Sequence, residues 1–115
     1  MPSIVIRLDP ERLQNPDLDL RYMIPDQLAA RSSGLIADDG YDYEPENNVM
    51  QIYLRTTNLE FAVPLVVEML ETECVLGNIL ATSAQIGISD AEAVNTNEFR
   101  VIYPNHATGV IVPPR

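Results

Sequence analysis

Residues 49–70 read VMQIYLRTTNLEFAVPLVVEML, and this stretch decides the fold because a strand pattern passes directly into a helix pattern. Large apolar, β-branched and aromatic side chains dominate Val49–Arg55, which predicts a strand near the centre of a sheet. Thr57 and Glu60 then match a capping box, with Thr57 as the N-cap and Glu60 three positions later. The chain is therefore predicted to pack helices on a sheet.

The predicted helix carries its apolar residues on one face. At 100° per residue six side chains gather there: Leu59, Ala62, Val63, Val66, Met69 and Leu70. Pro64 falls on the opposite face, so it removes a hydrogen bond on the solvent side and bends the helix without ending it. Gly77 and Asn78 predict the end of this helix.

The flanking sequence supplies further elements on both sides. We predict strands at Ser3–Leu8, Leu35–Ala37 continuing through Tyr41–Glu44, the C-terminal half of Ile79–Ser89, and Glu98–Tyr103. A turn at residues 45–48 makes a hairpin, and Glu11–Gln14 reads as a single helical turn. Residues 18–33 predict a helix that either starts at Pro25 or runs from Leu18 with a kink at Pro25. Residues 110–112 are either a short edge strand or an extended tail.

The predicted order is strand, helix, hairpin, helix and two more strands. A ferredoxin-like β-α-β-β-α-β sheet, with two helices on one face and an additional C-terminal strand, satisfies this order. The 115 residues suit one modest core, and no linker divides them, so we predict a single α+β domain over residues 1–115. This class hosts many unrelated functions and does not itself predict an activity.

The charge excludes whole classes of partner. Seventeen acidic residues face seven arginines and no lysine, and the formal net charge is −10. A surface of that sign repels nucleic acid and anionic membrane and attracts a basic protein. No segment is long and apolar enough to span a membrane, and no signal peptide is visible, so we expect a cytoplasmic protein. A single cysteine, Cys74, agrees with a reducing compartment.

The densest negative patch is Asp38–Glu46, which reads DDGYDYEPE and holds five carboxylates, two tyrosines and no cation. Carboxylates on such a segment steer a basic partner into contact, and tyrosines anchor interfaces at little entropic cost. We therefore predict that seven residues form a partner-binding site: Asp38, Asp39, Tyr41, Asp42, Tyr43, Glu44 and Glu46. The competing interpretation is that the acids protect an edge strand from aggregation while the tyrosines cover the core.

Few residues suit catalysis or metal binding. His106 is the only histidine and Cys74 the only thiol, which is too few for a structural zinc site. We expect His106 in an exposed loop and Cys74 buried near the end of the second helix. The five glycines are isolated, so no phosphate-binding loop is present. We predict no enzyme, no metal and no cofactor.

The short chain, the α+β pattern, the large negative charge and the Asp38–Glu46 segment together resemble bacterial immunity proteins. The resemblance implies a non-catalytic protein that inhibits a basic partner, as an immunity protein or antitoxin neutralises its cognate toxin. The four carboxylates from Asp38 to Glu44 would then pair with basic residues around the toxin's site. The alternative is a homo-oligomeric small-molecule sensor or structural domain, with a homodimer as the candidate assembly, since open sheets pair through their edges.

Overall fold

The structure is a computed structural model that describes residues 1–104 and 109–113. Within these ranges the chain forms two α-helices, α1 (Leu20–Arg31) and α2 (Leu59–Thr72). It also forms eight strands: β1 (Ser3–Leu8), β2 (Ile36–Tyr43), β3 (Met50–Thr56), β4 (Cys74–Val75), β5 (Asn78–Ile79), β6 (Ala84–Ser89), β7 (Phe99–Tyr103) and β8 (Val110–Ile111). Short 3-10 turns lie at Pro10–Arg12, Leu80–Thr82 and Ala93–Asn95.

Six of the strands form one sheet in the order β2-β3-β1-β6-β7-β8, and β4 and β5 pair separately. Every neighbouring pair in the sheet is antiparallel. The predicted α+β class, the first strand at Ser3–Leu8 and the β2–β3 hairpin are confirmed. Of the two alternatives for residues 110–112, the short edge strand is the one observed.

The main core lies between the sheet and the two helices. The helices contribute buried side chains at the spacing of a single face, with Leu20, Ile24 and Leu28 from α1 among them. The predicted apolar face of α2 packs on the same core, and Pro64 is exposed as expected. Both helices cover the same face of the sheet, so the side chains on the opposite face pack without either of these helices over them.

A smaller apolar cluster covers part of the second face. It consists of Val5, Tyr53, Phe99, Ile111 and Ala93. The Tyr53 and Phe99 rings stack with their centroids 6.1 Å apart. Gly87 makes room for this contact, because a Cβ there would lie 2.8 Å from the Phe99 Cβ. The core is therefore built on both sides of β1.

An extra residue in β2 breaks the alternation of the strand. Ile36 and Tyr43 both pack on the helix side although they are seven positions apart, which regular alternation forbids. The pairing shifts between Asp38 and Tyr41, so one more residue of β2 fits against β3 there. Gly40 takes φ +96°, a conformation that favours glycine. This bulge turns Tyr41 and Tyr43 towards the helices.

Two predicted helix starts need correction. Helix α1 begins at Leu20 and contains Pro25, so the predicted start at Pro25 is wrong. The alternative helix that runs from Leu18 through Pro25 lies within two residues of the observed start. Burial of residues on the α1 face outweighs the one hydrogen bond that Pro25 removes. The N-cap of α2 is Asn58 and not Thr57, because the Asn58 Oδ1 accepts the Phe61 N–H at 3.1 Å.

The predicted end of α2 at Gly77 is also wrong. The helix stops at Thr72, and Glu73 is already extended. Gly77, at φ +80°, serves the tight turn between β4 and β5. Cys74 consequently lies in β4 and is exposed, so the prediction of a buried Cys74 is wrong as well.

We expect the bulge to depend on the left-handed backbone of Gly40. Gly40→Val should lower the free energy of unfolding by about 1–2 kcal/mol, because a β-branched residue is strained at positive φ. Gly40→Asn should cost less, since asparagine tolerates this conformation. Urea unfolding measures both, and equal costs would contradict the assignment.

We expect Val66 to report on the main core. Val66→Ala should cost about 1–3 kcal/mol, because it opens a cavity at a residue that is 0% exposed. Val94 is 69% exposed, so Val94→Ala should stay within about 0.5 kcal/mol of the parent. Thermal and urea unfolding of the matched pair provide the test.

Candidate functional site

The seven residues predicted as a partner-binding site lie on β2 and the turn that follows, but the sheet divides them between two faces. Tyr41 lies opposite Ile52, a core residue on the helix side, and Tyr43 points the same way. Asp42 lies opposite Gln51, on the other face. The segment therefore forms two surfaces that meet at the edge of the sheet.

On the helix side the tyrosines surround a cation of the protein itself. The guanidinium carbon of Arg21 lies 4.6 Å from the centroid of the Tyr22 ring and 4.7 Å from that of Tyr41. Its Nη1 atom donates to the Tyr43 hydroxyl at 3.3 Å, which raises the pKa of Arg21 further and keeps it charged. Tyr41 remains 41% exposed, whereas Tyr43 is half-buried against the core.

Asp38 and Asp42 each bind the nearby backbone of β2. Asp38 Oδ1 accepts the Gly40 N–H at 2.9 Å, and Asp42 Oδ1 accepts the Tyr43 N–H at 2.8 Å. Since β2 is at the end of the sheet, a further strand would find these donors already taken. The predicted role of the acids in edge protection thus has a visible basis, and neither Asp38 nor Asp42 forms an ion pair with another residue in the part of the chain that the structure describes.

The other acids of the segment differ in how much of their charge is compensated. Asp39 lies 3.7 Å from the Arg55 guanidinium. Glu46 is exposed and has no ion pair within residues 1–104 and 109–113. Within the Asp38–Glu46 segment, the acids without an ion pair to another described residue are therefore Asp38, Asp42 and Glu46.

Glu44 belongs to a hydrogen-bond network on the second face. Its carboxylate binds the Nε and Nη2 atoms of Arg7, the latter at 2.7 Å. Gln51 donates to the same carboxylate at 2.9 Å, and Tyr53 donates to Gln51 at 2.7 Å. Arg7 also donates to Gln85 Oε1 at 3.0 Å. The network neutralises Glu44 within the protein, so a partner would meet little of its charge.

Sequence reasoning did not find this network, although a signal is present. Arg7, Gln51 and Gln85 each interrupt an otherwise apolar strand. The register aligns them, because Arg7 lies opposite Gln51 in β3 and opposite Gln85 in β6. Three aligned polar residues in neighbouring strands indicate a shared network, but the register has to be known first.

Across the described residues, five of the seventeen acids take part in ion pairs, which leaves twelve that do not. No three His, Cys, Asp or Glu side chains in this part of the chain lie together as metal ligands. His106 lies outside the described residues. Neither described helix is long and apolar enough to cross a membrane.

No protein family, curated protein or solved structure matches this chain. The geometry and the charge of the described residues are therefore what supports a function.

We expect the Glu44–Arg7 pair to make stability depend on pH. The hydrogen bond from Arg7 lowers the pKa of Glu44 against the opposing effect of burial, and Asn47 and Gln51 lower it further. Because the folded pKa lies below the unfolded one, this stabilisation is complete above about pH 4.5 and is lost as the pH falls through the folded pKa. Glu44→Gln should therefore cost about 1–3 kcal/mol at pH 7, with the difference shrinking towards pH 3.

Glu46→Gln is the matched control, since it makes the same chemical change at an exposed residue two positions away. It should alter the free energy of unfolding by less than about 0.5 kcal/mol at any pH. Urea unfolding from pH 7 to pH 3 separates the two. A gap between Glu44→Gln and the parent that persists at low pH would contradict the proposed pair.

Proposed function

We propose that this protein is a non-catalytic inhibitor of a basic partner, of the kind found among bacterial immunity proteins and antitoxins, and that the encounter takes place in the cytoplasm. The observation that carries the proposal is that Asp38, Asp42 and Glu46, on β2 and the turn after it, have no ion pair within residues 1–104 and 109–113, while the ring of Tyr41 on the same strand is exposed. Charge of one sign along an edge attracts the opposite sign, and a tyrosine beside it supplies a rigid contact.

The proposed mechanism is stoichiometric occlusion. The negative edge of β2 first accelerates the encounter with a lysine- or arginine-rich surface. Asp38 and Asp42 then pair with basic residues around the partner's site, and the exposed ring of Tyr41 packs against the partner from the helix side of the same edge. Glu44 and Tyr43 do not contact the partner in this mechanism and instead stabilise the strand behind it. The Glu44 carboxylate already accepts a hydrogen bond from Arg7, and the Tyr43 hydroxyl accepts one from Arg21.

Self-association through β2 is less well supported than a basic partner. Two copies paired along this edge would bring like charges together at Asp38, Asp39 and Asp42. The donors that Asp38 and Asp42 satisfy would also have to be released. The homo-oligomeric alternative would therefore have to use the opposite edge, where Val110 and Val112 are exposed.

We also propose that the fold is ferredoxin-like, with β7 and β8 as additions. Support comes from the antiparallel order β2-β3-β1-β6 and from the placement of α1 after β1 and α2 after β3, both on one face. In such a sheet β2 is at an edge, which is where a partner can reach the acidic residues.

The product of the neighbouring gene is the probe that tests the proposed function, and we expect it to be basic. We expect wild-type protein to relieve growth arrest caused by that gene and to bind its product one to one. The double variant Asp38→Arg, Glu46→Arg should associate at least about tenfold more slowly at low salt, because it reverses the steering charge.

The double variant Glu68→Arg, Glu98→Arg is the control. It changes the net charge by the same amount through exposed acids on α2 and before β7. Association should remain within about threefold of wild type if the β2 edge is the contact. Equal slowing by both variants, or a neighbouring product that neither binds nor is inhibited, would overturn the proposal.

A further inference from the structure

We propose that an apolar groove beside the acidic turn receives an apolar side chain carried by a basic segment of the partner. This inference rests on the proposed function and specifies how the partner is held after it has been attracted. The groove lies between residues 9–18 and the β2–β3 hairpin and has a volume of about 390 Å³.

The floor of the groove is one row of side chains across three neighbouring strands. Leu8 lies opposite Met50, and Met50 lies opposite Tyr43. Leu8 is 0% exposed and Met50 6% exposed, so both belong to the main core. An occupant would therefore extend the core outward and bury apolar surface on a rigid base.

The wall is the segment that connects β1 to α1. Leu13, Pro16 and Leu18 line the groove from this side, and Leu18 is 56% exposed. The segment is fixed in place through Asn15, whose N–H and C=O both bind the buried Asn78 side chain at 2.7 Å. Because its wall is anchored to β5, the groove exists before any partner arrives, and binding need not order it.

Acidic residues adjoin the lining residues along the chain, and we refer to these positions as the rim of the groove. Asp17 lies between the lining residues Pro16 and Leu18, and Glu11 follows the lining residue Pro10. Within residues 9–19 four acids face one cation, Arg12, which lies 3.8 Å from Asp9. On the hairpin side the exposed Glu46 precedes the lining residue Asn48.

The apolar floor favours an apolar side chain as the occupant, and the acids of the rim favour basic residues on either side of it. A second copy of this chain carries the same rim and a formal net charge of −10, and an anionic lipid surface is repelled in the same way. The complementary ligand is a large apolar or aromatic side chain flanked by lysine or arginine. Tyr43 joins this groove to the acidic edge, since its ring lies 5.8 Å from that of Tyr41.

The chain contains no tryptophan, which allows a clean test. The probe is a synthetic peptide with one tryptophan between two pairs of lysines, whose fluorescence is the only tryptophan signal in the mixture. We expect saturable binding with a shift of the emission to the blue. Replacing the tryptophan by alanine should weaken competition for the site by about tenfold, and a peptide with glutamates in place of lysines should not bind.

Leu18→Ser and Ile79→Ser form the matched pair, because both leucine and isoleucine are 56% exposed in the parent. Leu18→Ser should weaken the peptide by about tenfold and Ile79→Ser should leave it unchanged, with thermal unfolding confirming that both variants fold. Methyl resonances of Leu13 and Met50 in the wild-type protein should shift on peptide addition. Equal weakening by both variants, unshifted methyl resonances or equal binding of the glutamate peptide would overturn the groove.

The natural partner separates this inference from the proposed function. If its binding responds to Asp38→Arg, Glu46→Arg but not to Leu18→Ser, the inhibitor stands and the groove is rejected. If the lysine peptide binds in a Leu18-dependent way but no basic partner is inhibited, the groove stands and the proposed function is rejected.

Discussion

The bulge in β2 determines which side chains this protein presents on each face of its sheet. Without the extra residue at Gly40, Ile36 and Tyr43 could not both reach the helix-side core. With it, Tyr41 and Tyr43 face α1 while Asp42 faces the opposite side. A single left-handed glycine within the eight residues of β2 thus places both tyrosines on the helix side and Asp42 on the other face.

Strand β1 links the two faces of the sheet, because it supplies core residues on the helix side and Arg7 on the other face. Arg7 comes from the same strand that supplies the centre of the core, and its guanidinium crosses to the end of β2 to bind Glu44. Arg21 is likewise enclosed, by tyrosine rings, and Arg31 binds Glu73. Each of the two ion pairs, Arg7 with Glu44 and Arg31 with Glu73, removes one charge of each sign, so pairing leaves the net charge of −10 unchanged and determines only where the excess negative charge lies.

The sequence predicts those elements whose local pattern and tertiary environment agree. Ser3–Leu8 is rich in β-branched residues, with Ile4, Ile6 and Leu8 on one face, and it is observed as β1 with the predicted bounds. The start of α1 could not be predicted from Pro25, because the sequence does not distinguish a proline at the start of a helix from one within it. The burial of Leu20 shows that the helix begins before Pro25. Gly77 misled the end of α2 for a similar reason, since left-handed glycines occur both after helices and in hairpin turns.

The sequence shows the acidic segment that we propose as the site, but it does not show how the sheet distributes the residues of that segment between two faces. The acids and tyrosines of Asp38–Glu46 are visible in the sequence, whereas the Arg7 network requires the register and the groove requires residues 9–18 to fold back against the hairpin. The two surfaces also differ in their physics. Attraction by the acidic edge is screened within about 10 Å at 0.1 M salt, while burial in the groove is not. The proposed partner would therefore be attracted by charge and retained by apolar contact, with Tyr43 common to both surfaces.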